Sequence, residues 1–273
     1  MSDPNARPPL PVFADLRAES SEIDLLVDGL ADPDWRRPTP AAGWTVAHQI
    51  AHLAWTDRAA LLAMTDPGGF GRMVEVALAD PDGFVDEGAA EGAALPPAEL
   101  LARWRAGRAE LDAVLAGAPA DARFPWYGPP MKAASMASAR LMESWAHGTD
   151  IADALGVRRT PTVRLQHVAR IGVRARDYAY AVHGLPVPEG EFRVELTPPA
   201  AAGPAAAVWA YGPEDAPQRV TGPALDFCLL VTRRAHRADL AVRAEGPDAD
   251  RWLDIAQAFA GPAGAGRSPQ GER

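Results

Sequence analysis

The stretch 44–55, WTVAHQIAHLAW, carries His48 and His52 four residues apart, and 142–150, MESWAHGTD, carries Glu143 and His147 at the same spacing. On a helix, residues four apart share a face. Two imidazoles and one carboxylate suit a divalent ion of borderline softness, with Zn2+ the default. Three protein donors leave coordination positions open, which is the catalytic pattern and not the structural one. Wet helix faces produce the same spacings with no ion at all. His52 lies among Ile50, Ala51, Leu53, Ala54 and Trp55, where a hydrogen-bonded core histidine fits as well as a ligand does. His48 falls three residues after Thr45, the place where a capping box closes. It therefore reads as a helix-start residue that stands beside a metal rather than on it. Of the two, His52 is the ligand candidate and His48 an auxiliary catalytic one.

Other residues gather around these pairs. Arg140 lies one turn before Glu143 on the stripe Met136, Arg140, Glu143, His147, Ile151. It is placed to take a substrate carboxylate in its fork, or to form an ion pair along its own helix. Asp150, three after His147, is a candidate for orienting that imidazole as an acceptor; solvation of a helix end is the plainer reading. Arg233 and Arg234 are candidates for closing over the site from the C-terminal part, although the end of a helix favours cations in any case. Trp55, Trp126 and Tyr127 line a pocket or pack as core or lid. His167, His183 and His236 have no partner at ligand spacing. Cys228, in LDFCLLVT, reads as a small buried hydrophobe, and a single cysteine excludes a thiolate cage.

The elements that must position these groups follow from periodicity and punctuation. Apolar residues at helical spacing predict a helix over 11–30. A second starts after Thr45 and runs to about 65. The stretch 66–95, rich in Gly, Asp and Ala, is expected as a long connection holding a short helix at 70–79. A helix over 97–116 has Pro97 near its first position. DARFPWYGPP is expected as a stiff loop, and 131–155 as a helix stopped by Gly156. A further helix is expected from the Thr160 cap and Pro161 to the HGLP at 183–186. Beyond it, EFRVELT, AAVWAYG, QRVTG and DLAVRAEG alternate as strands, with helices at 223–235 and 247–259. The chain is thus expected to be a helical bundle over 10–185 and a small α+β domain over 190–260, with loose tails at 1–9 and 262–273.

Composition narrows the function. The net charge of -9 disfavours nonspecific affinity for nucleic acid or anionic membrane. Lys132 is the single lysine, so arginine supplies nearly all the positive charge. Given the abundance of Ala, Gly and Pro, this reflects coding bias and not a function. No basic, apolar leader opens the chain, and no run of about 18 apolar residues occurs. A soluble cytoplasmic protein, monomer or homodimer, acting on a small molecule is expected. No glycine-rich phosphate loop follows a strand, which disfavours a nucleotide-binding α/β enzyme.

GWTVAHQIAHLAWTDRAALL, followed some 90 residues later by ARLMESWAHGTDIADALGV, resembles the DinB-like metal-binding superfamily. More narrowly, it resembles the mycothiol-dependent maleylpyruvate isomerase branch found in actinobacteria. Gly43, Trp44, His52 and Leu53 carry the resemblance in the first segment. Glu143, His147, Gly148, Asp150, Ala152 and Gly156 carry it in the second. WAYGP and VTGPALDFCLLVTRR are similar to the small domain that follows the bundle in that branch. The resemblance implies a mainly α fold, a DinB-like four-helix bundle followed by a small α+β C-terminal domain. It also implies a divalent metal on His52, Glu143 and His147. His48 departs from it, standing where relatives commonly have an acidic residue. The chemistry implied is a metal-bound thiol, mycothiol, adding to or isomerising a small electrophile. A thiol-independent metal hydrolase, lyase or cyclase and a non-catalytic metal-binding protein are the alternatives. Some relatives bear names tied to tRNA base modification, but the acidic balance argues against RNA contact.

Overall fold

The computed structural model describes residues 11–80, 83–261, 263–264 and 266–272. Helices α1 (Val12–Val27), α3 (Val46–Thr65), α6 (Pro97–Gly117) and α7 (Ala133–Leu155) pack as a four-helix bundle, with α1 on α7 and α3 on both α6 and α7. The short α2 (Asp32–Trp35) inserts Trp35 into the core formed with Val46, Ile50, Leu100 and Trp104. Each long helix buries an apolar stripe, which supplies the stability an isolated helix lacks. Their ends are written locally. Pro97 opens α6. Gly156, at φ 68°, closes α7 in the left-handed conformation that glycine adopts without strain, and Val157 N–H bonds back to Ala152 O at 2.9 Å.

The stretch 66–95 holds two helices: the short one expected at 70–79 is α4 (Pro67–Ala79), and the connection expected after it contains α5 (Phe84–Ala93). Asp66 caps α4 by accepting from Gly69 N–H at 2.9 Å. Two glycines allow α5 to lie against α3. A methyl group at Gly88 would stand 2.7 Å from Trp55 Nε1, and one at Gly92 would stand 2.7 Å from Ala51 Cβ. The composition that looked like loop is therefore a close helix contact.

Other boundaries shift for physical reasons. In the DARFPWYGPP loop, β1 (Arg123–Phe124) pairs with β2 (Met131–Lys132), so α7 begins only at Ala133. Arg159 and Arg164 both reach back to the buried Glu19 of α1. That holds 157–164 across α1, and the helix expected from Thr160 begins at Leu165. It breaks at Ala175 into α8 (Leu165–Arg174) and α9 (Arg176–Val182).

The C-terminal part is a four-stranded sheet in the order β4 (Trp209–Tyr211), β3 (Phe192–Thr197), β5 (Gln218–Pro223), β6 (Arg243–Glu245). The β3–β5 pair is parallel and the others are antiparallel. Phe192, Val194 and Leu196 point inward with period two, and Glu195 lies on the outer face between Arg193 and Arg219. Helices α10 (Ala224–Val231) and α11 (Pro247–Ile255) cover the inner face and are shorter than expected. One apolar cluster runs from Leu111, Met136 and Trp145 of the bundle to Val194, Phe227 and Trp252. The end of the chain is not a loose tail where described: Arg267 pairs with Asp150, and Gln270 N–H bonds Asp239. The expected tail at 1–9 lies outside the described residues.

Candidate functional site

The first two turns of α3 carry one half of the site. Thr45 caps the helix, and His48 Nδ1 accepts from the Thr45 N–H at 3.4 Å and lies 2.8 Å from its hydroxyl. This closes a capping box. The Nδ1 of His48 thus serves the helix end, the helix-start role expected of it. One turn on, His52 is buried and faces α7.

On α7, Glu143 and His147 meet it. His52 Nε2 lies 3.3 Å, and His147 Nε2 3.2 Å, from the same oxygen, Glu143 Oε2. The imidazole centroids are 4.4 Å apart. One donor atom from each of the three residues lies within 4.8 Å of the other two. Burial acts most strongly on Glu143 and would raise its pKa. The hydrogen bonds and charges that His147 and His52 offer in their protonated form overcome it and hold the carboxyl well below its usual range. Burial, then repulsion from His52, push His147 down to about 4, so its imidazole is neutral at pH 7. A carboxylate and unprotonated imidazole nitrogen converging on one point are the donor set of a divalent ion.

Trp44 covers the two imidazoles, its ring 5.2 Å from that of His52 and 5.9 Å from that of His147. Its indole N–H donates to Asp86 of α5 at 2.9 Å. Trp55 stands 6.1 Å from His52 and meets Phe84 edge-on at 4.8 Å. Phe84 continues to Tyr127, which touches Phe70 and Trp126. Trp55, Trp126 and Tyr127 thus belong to one aromatic wall leading away from His52. Its linking members, Phe70 and Phe84, come from α4 and α5. The Tyr127 hydroxyl is buried without a partner among the described residues, and burial raises its pKa to about 12.

Two expected roles are corrected. Arg140 is almost wholly buried, donating from Nε to Asp57 Oδ1 at 3.0 Å and from Nη2 to Thr56 Oγ1 at 2.5 Å. It clamps α7 to α3 and does not present a free fork to a carboxylate; nor is its partner on its own helix. Asp150 does not orient His147. Its carboxylate is buried between Arg234, at 2.8 Å, and Arg267. The group that orients His147 is Gln49, whose Oε1 lies 2.5 Å from His147 Nδ1. Sequence reasoning missed it because a neutral amide in an apolar run gives no charge signal.

Arg233 and Arg234 part company. Arg233 takes φ 57° and points to Ala256 O and His183, while Arg234 crosses to α7 and also donates to Ala146 O at 3.2 Å. Its charge is felt at His147. A cavity of about 590 Å³ is lined by Arg234, Thr149, Asp153, His236 and Arg267, among others, but by none of the three convergent donors. His167 is spent on Asp15 of α1 at 2.8 Å. Cys228 is fully buried, and burial pushes its thiol far up, so it is no nucleophile.

Residues 16–152 match the family model described as mycothiol maleylpyruvate isomerase N-terminal domain, and residues 188–245 match one described as wyosine base formation. Two uncharacterized proteins from two strains of Mycobacterium tuberculosis are each 55% identical over 267 residues, which is 98% of this chain and 100% of theirs. Among solved structures, the chain is similar to a mycothiol-dependent maleylpyruvate isomerase at TM-score 0.57 and 18% identity, over 91% of this chain and 98% of that one. It is similar to a mutant of that enzyme at TM-score 0.58 and 17% identity, with the same coverage. At such identity the likeness speaks for the fold alone. No helix among the described residues is long and apolar enough to cross a membrane.

Proposed function

Because the chain belongs to the family of the mycothiol maleylpyruvate isomerase N-terminal domain, we propose that it is a divalent-metal enzyme that uses a low-molecular-weight thiol, mycothiol, to isomerise or capture a small electrophile. The observation that carries this reading is the convergence of His52 Nε2 and His147 Nε2 on one Glu143 oxygen. These three residues would hold the ion, with Zn2+ the best match to the donors. An ion bound there supplies Lewis acidity and lowers the pKa of a thiol or water that reaches it. The thiol comes from outside, since Cys228 is buried and inert.

For isomerisation, the thiolate sulfur forms a bond to one carbon of a conjugated C=C, and the π pair moves to the carbonyl oxygen. The former double bond rotates. The electrons return, the C–S bond breaks, and the thiolate is released with no net proton consumed. Within this scheme the chain's residues have separate tasks. Trp44 and Trp55 exclude water from the two imidazoles, and the wall through Tyr127 accommodates the flat, conjugated part of the substrate. Arg234, expected to bind substrate, has its guanidinium spent on Asp150, Ala146 O and Thr232 O and is left out of the binding scheme. Arg140 positions Glu143 and takes no part in binding.

Metal content by mass spectrometry, in wild type beside His52→Ala and His147→Ala, tests the site. About one equivalent of divalent ion in wild type, lost in both variants, is expected. Cis–trans isomerisation of maleylpyruvate is then followed with and without mycothiol. Isomerisation that needs no thiol would remove mycothiol from this reading, and hydrolysis or cleavage of the substrate instead would replace it with that of a metal hydrolase or lyase.

A further inference from the structure

Behind His147 lies a chain of hydrogen bonds in which each proton's place follows from the next. It begins at the Trp44 carbonyl, which only accepts. The Thr39 N–H reaches it at 2.8 Å and the Thr39 hydroxyl at 2.9 Å. A hydroxyl has one proton, and here it is committed to Trp44. Toward any other neighbour, Thr39 Oγ1 is therefore an acceptor. That neighbour is the side-chain amide of Gln49, at 2.9 Å. The end of the amide facing Thr39 must donate, so it is the NH2. The end facing His147, 2.5 Å from Nδ1, is then the carbonyl oxygen. A carbonyl requires a donor, so His147 carries its hydrogen on Nδ1. Its Nε2, turned toward Glu143, is left with a lone pair.

Among the described residues, the Gln49 side chain has no other hydrogen-bond partner to confuse this order. It is completely buried, one turn before His52 on the same face of α3. The loop that supplies Thr39 is itself pinned, since Val46 N–H bonds Arg37 O at 3.1 Å and Pro38 pairs with Thr45. The same Trp44 whose carbonyl ends the relay lays its ring over both imidazoles.

We infer that Gln49, held in one amide orientation by Thr39, is the positioning residue that fixes the Nδ1–H tautomer of His147 and thereby sets how tightly the site holds a divalent cation. The affinity half of this inference rests on the metal reading given above; the tautomer half does not. Neutral histidine in water favours the Nε2–H form, which would block the nitrogen that faces the other donors. The relay removes that option before any ion arrives. Outer hydrogen bonds of this kind are typically worth about 10- to 100-fold in metal affinity.

The test has two readouts. Long-range 1H–15N spectra of the histidine side chains, taken on the zinc-free protein, report the tautomer of His147. Zinc affinity is measured by competition with a chromophoric chelator. Wild type is expected to show His147 protonated on Nδ1. Gln49→Leu, which removes the acceptor, should shift it toward Nε2–H and weaken zinc binding about 10- to 100-fold. Thr39→Val leaves Gln49 in place but frees its amide to turn, and should give a smaller loss in the same direction. Gln49→Glu keeps an acceptor for Nδ1–H and should keep the Nδ1–H tautomer and hold zinc about as tightly as wild type. A residue with a merely structural role would lower the melting temperature without moving the tautomer. Either of two results would overturn the relay: a wild-type His147 protonated on Nε2, or a folded Gln49→Leu variant with unchanged tautomer and zinc affinity within about twofold of wild type. Failure of wild type itself to bind zinc would overturn the affinity half together with the metal reading, while the tautomer spectra would still decide the relay.

Discussion

Arg140→Met removes the charged clamp between α3 and α7 while keeping most of the side-chain volume. Two contacts are lost, the 3.0 Å pair with Asp57 and the 2.5 Å bond to Thr56. Truncating one partner of a buried pair costs about 3–5 kcal/mol, because the other charge stays behind. Asp57 has a partial escape. Burial already pushes its pKa up, and the opposing effects of Arg140, charge and hydrogen bond, vanish in the variant. The carboxyl then takes up a proton, which places the loss at pH 7 near the lower end, about 3 kcal/mol. The sign of the pH dependence follows. In the variant, the folded pKa of Asp57 is raised further above its unfolded value, so the folded state binds more protons than the unfolded one. Stability from this group is present at low pH and is lost as pH rises. The deficit relative to wild type should therefore shrink between pH 7 and pH 5. Urea unfolding of Arg140→Met, Asp57→Asn and the double variant measures all of this. A coupling energy of at least about 1.5 kcal/mol is expected between the two sites. A deficit below about 1 kcal/mol, or full additivity, would refute the claim that this pair locks the helices.

Three other outcomes follow from the geometry. His147, depressed to about 4 from an unfolded value near 6.5, leaves the unfolded state binding more protons between those values. Metal-free protein should thus lose about 2 kcal/mol from this group as pH falls from 7 to 5, and His147→Gln should flatten that slope in urea titrations. Gly88→Ala and Gly92→Ala should each destabilise by about 1–3 kcal/mol through overpacking against Trp55 and Ala51, outweighing the gain in helix propensity of about 1 kcal/mol; stabilisation by either in thermal unfolding would mean that α5 does not lie against α3. Arg267→Ala removes one of the two cations on Asp150 and should speed proteolytic clipping of the chain after residue 261, with the rest of the chain retaining its melting transition to within a few degrees.

Much of the site was legible because its signals are local. The spacing of Glu143 and His147, the capping position of His48 and the apolar periodicity of α3, α6 and α7 are properties of short windows, and helices translate them directly into faces. What stayed hidden depends on partners remote in sequence. Asp150 looked like a neighbour for His147, but its cations come from Arg234 and Arg267. Arg140 looked free or paired along its helix, but Asp57 waits on α3. α5 was hidden by glycines that read as loop, whereas Gly88 and Gly92 are there because Trp55 and Ala51 come too close for any side chain. Gln49 carries no charge and sits among apolar residues, so only its contacts with Thr39 and His147 in the fold distinguish it from core filling.

The carboxylate of Asp150 also imposes an order in time. Its two partners follow it by 84 and 117 residues. At the ribosome's pace of about 5–20 residues per second, Asp150 is made roughly 6 to 23 seconds before Arg267. Through that interval α7 exists with its carboxylate uncovered, because the elements that bury it have not been synthesised. Water solvates the charge until the C-terminal part arrives, and that part brings the arginines with it. Desolvation and neutralisation thus occur in a single docking event, and the growing chain never holds that charge buried and alone.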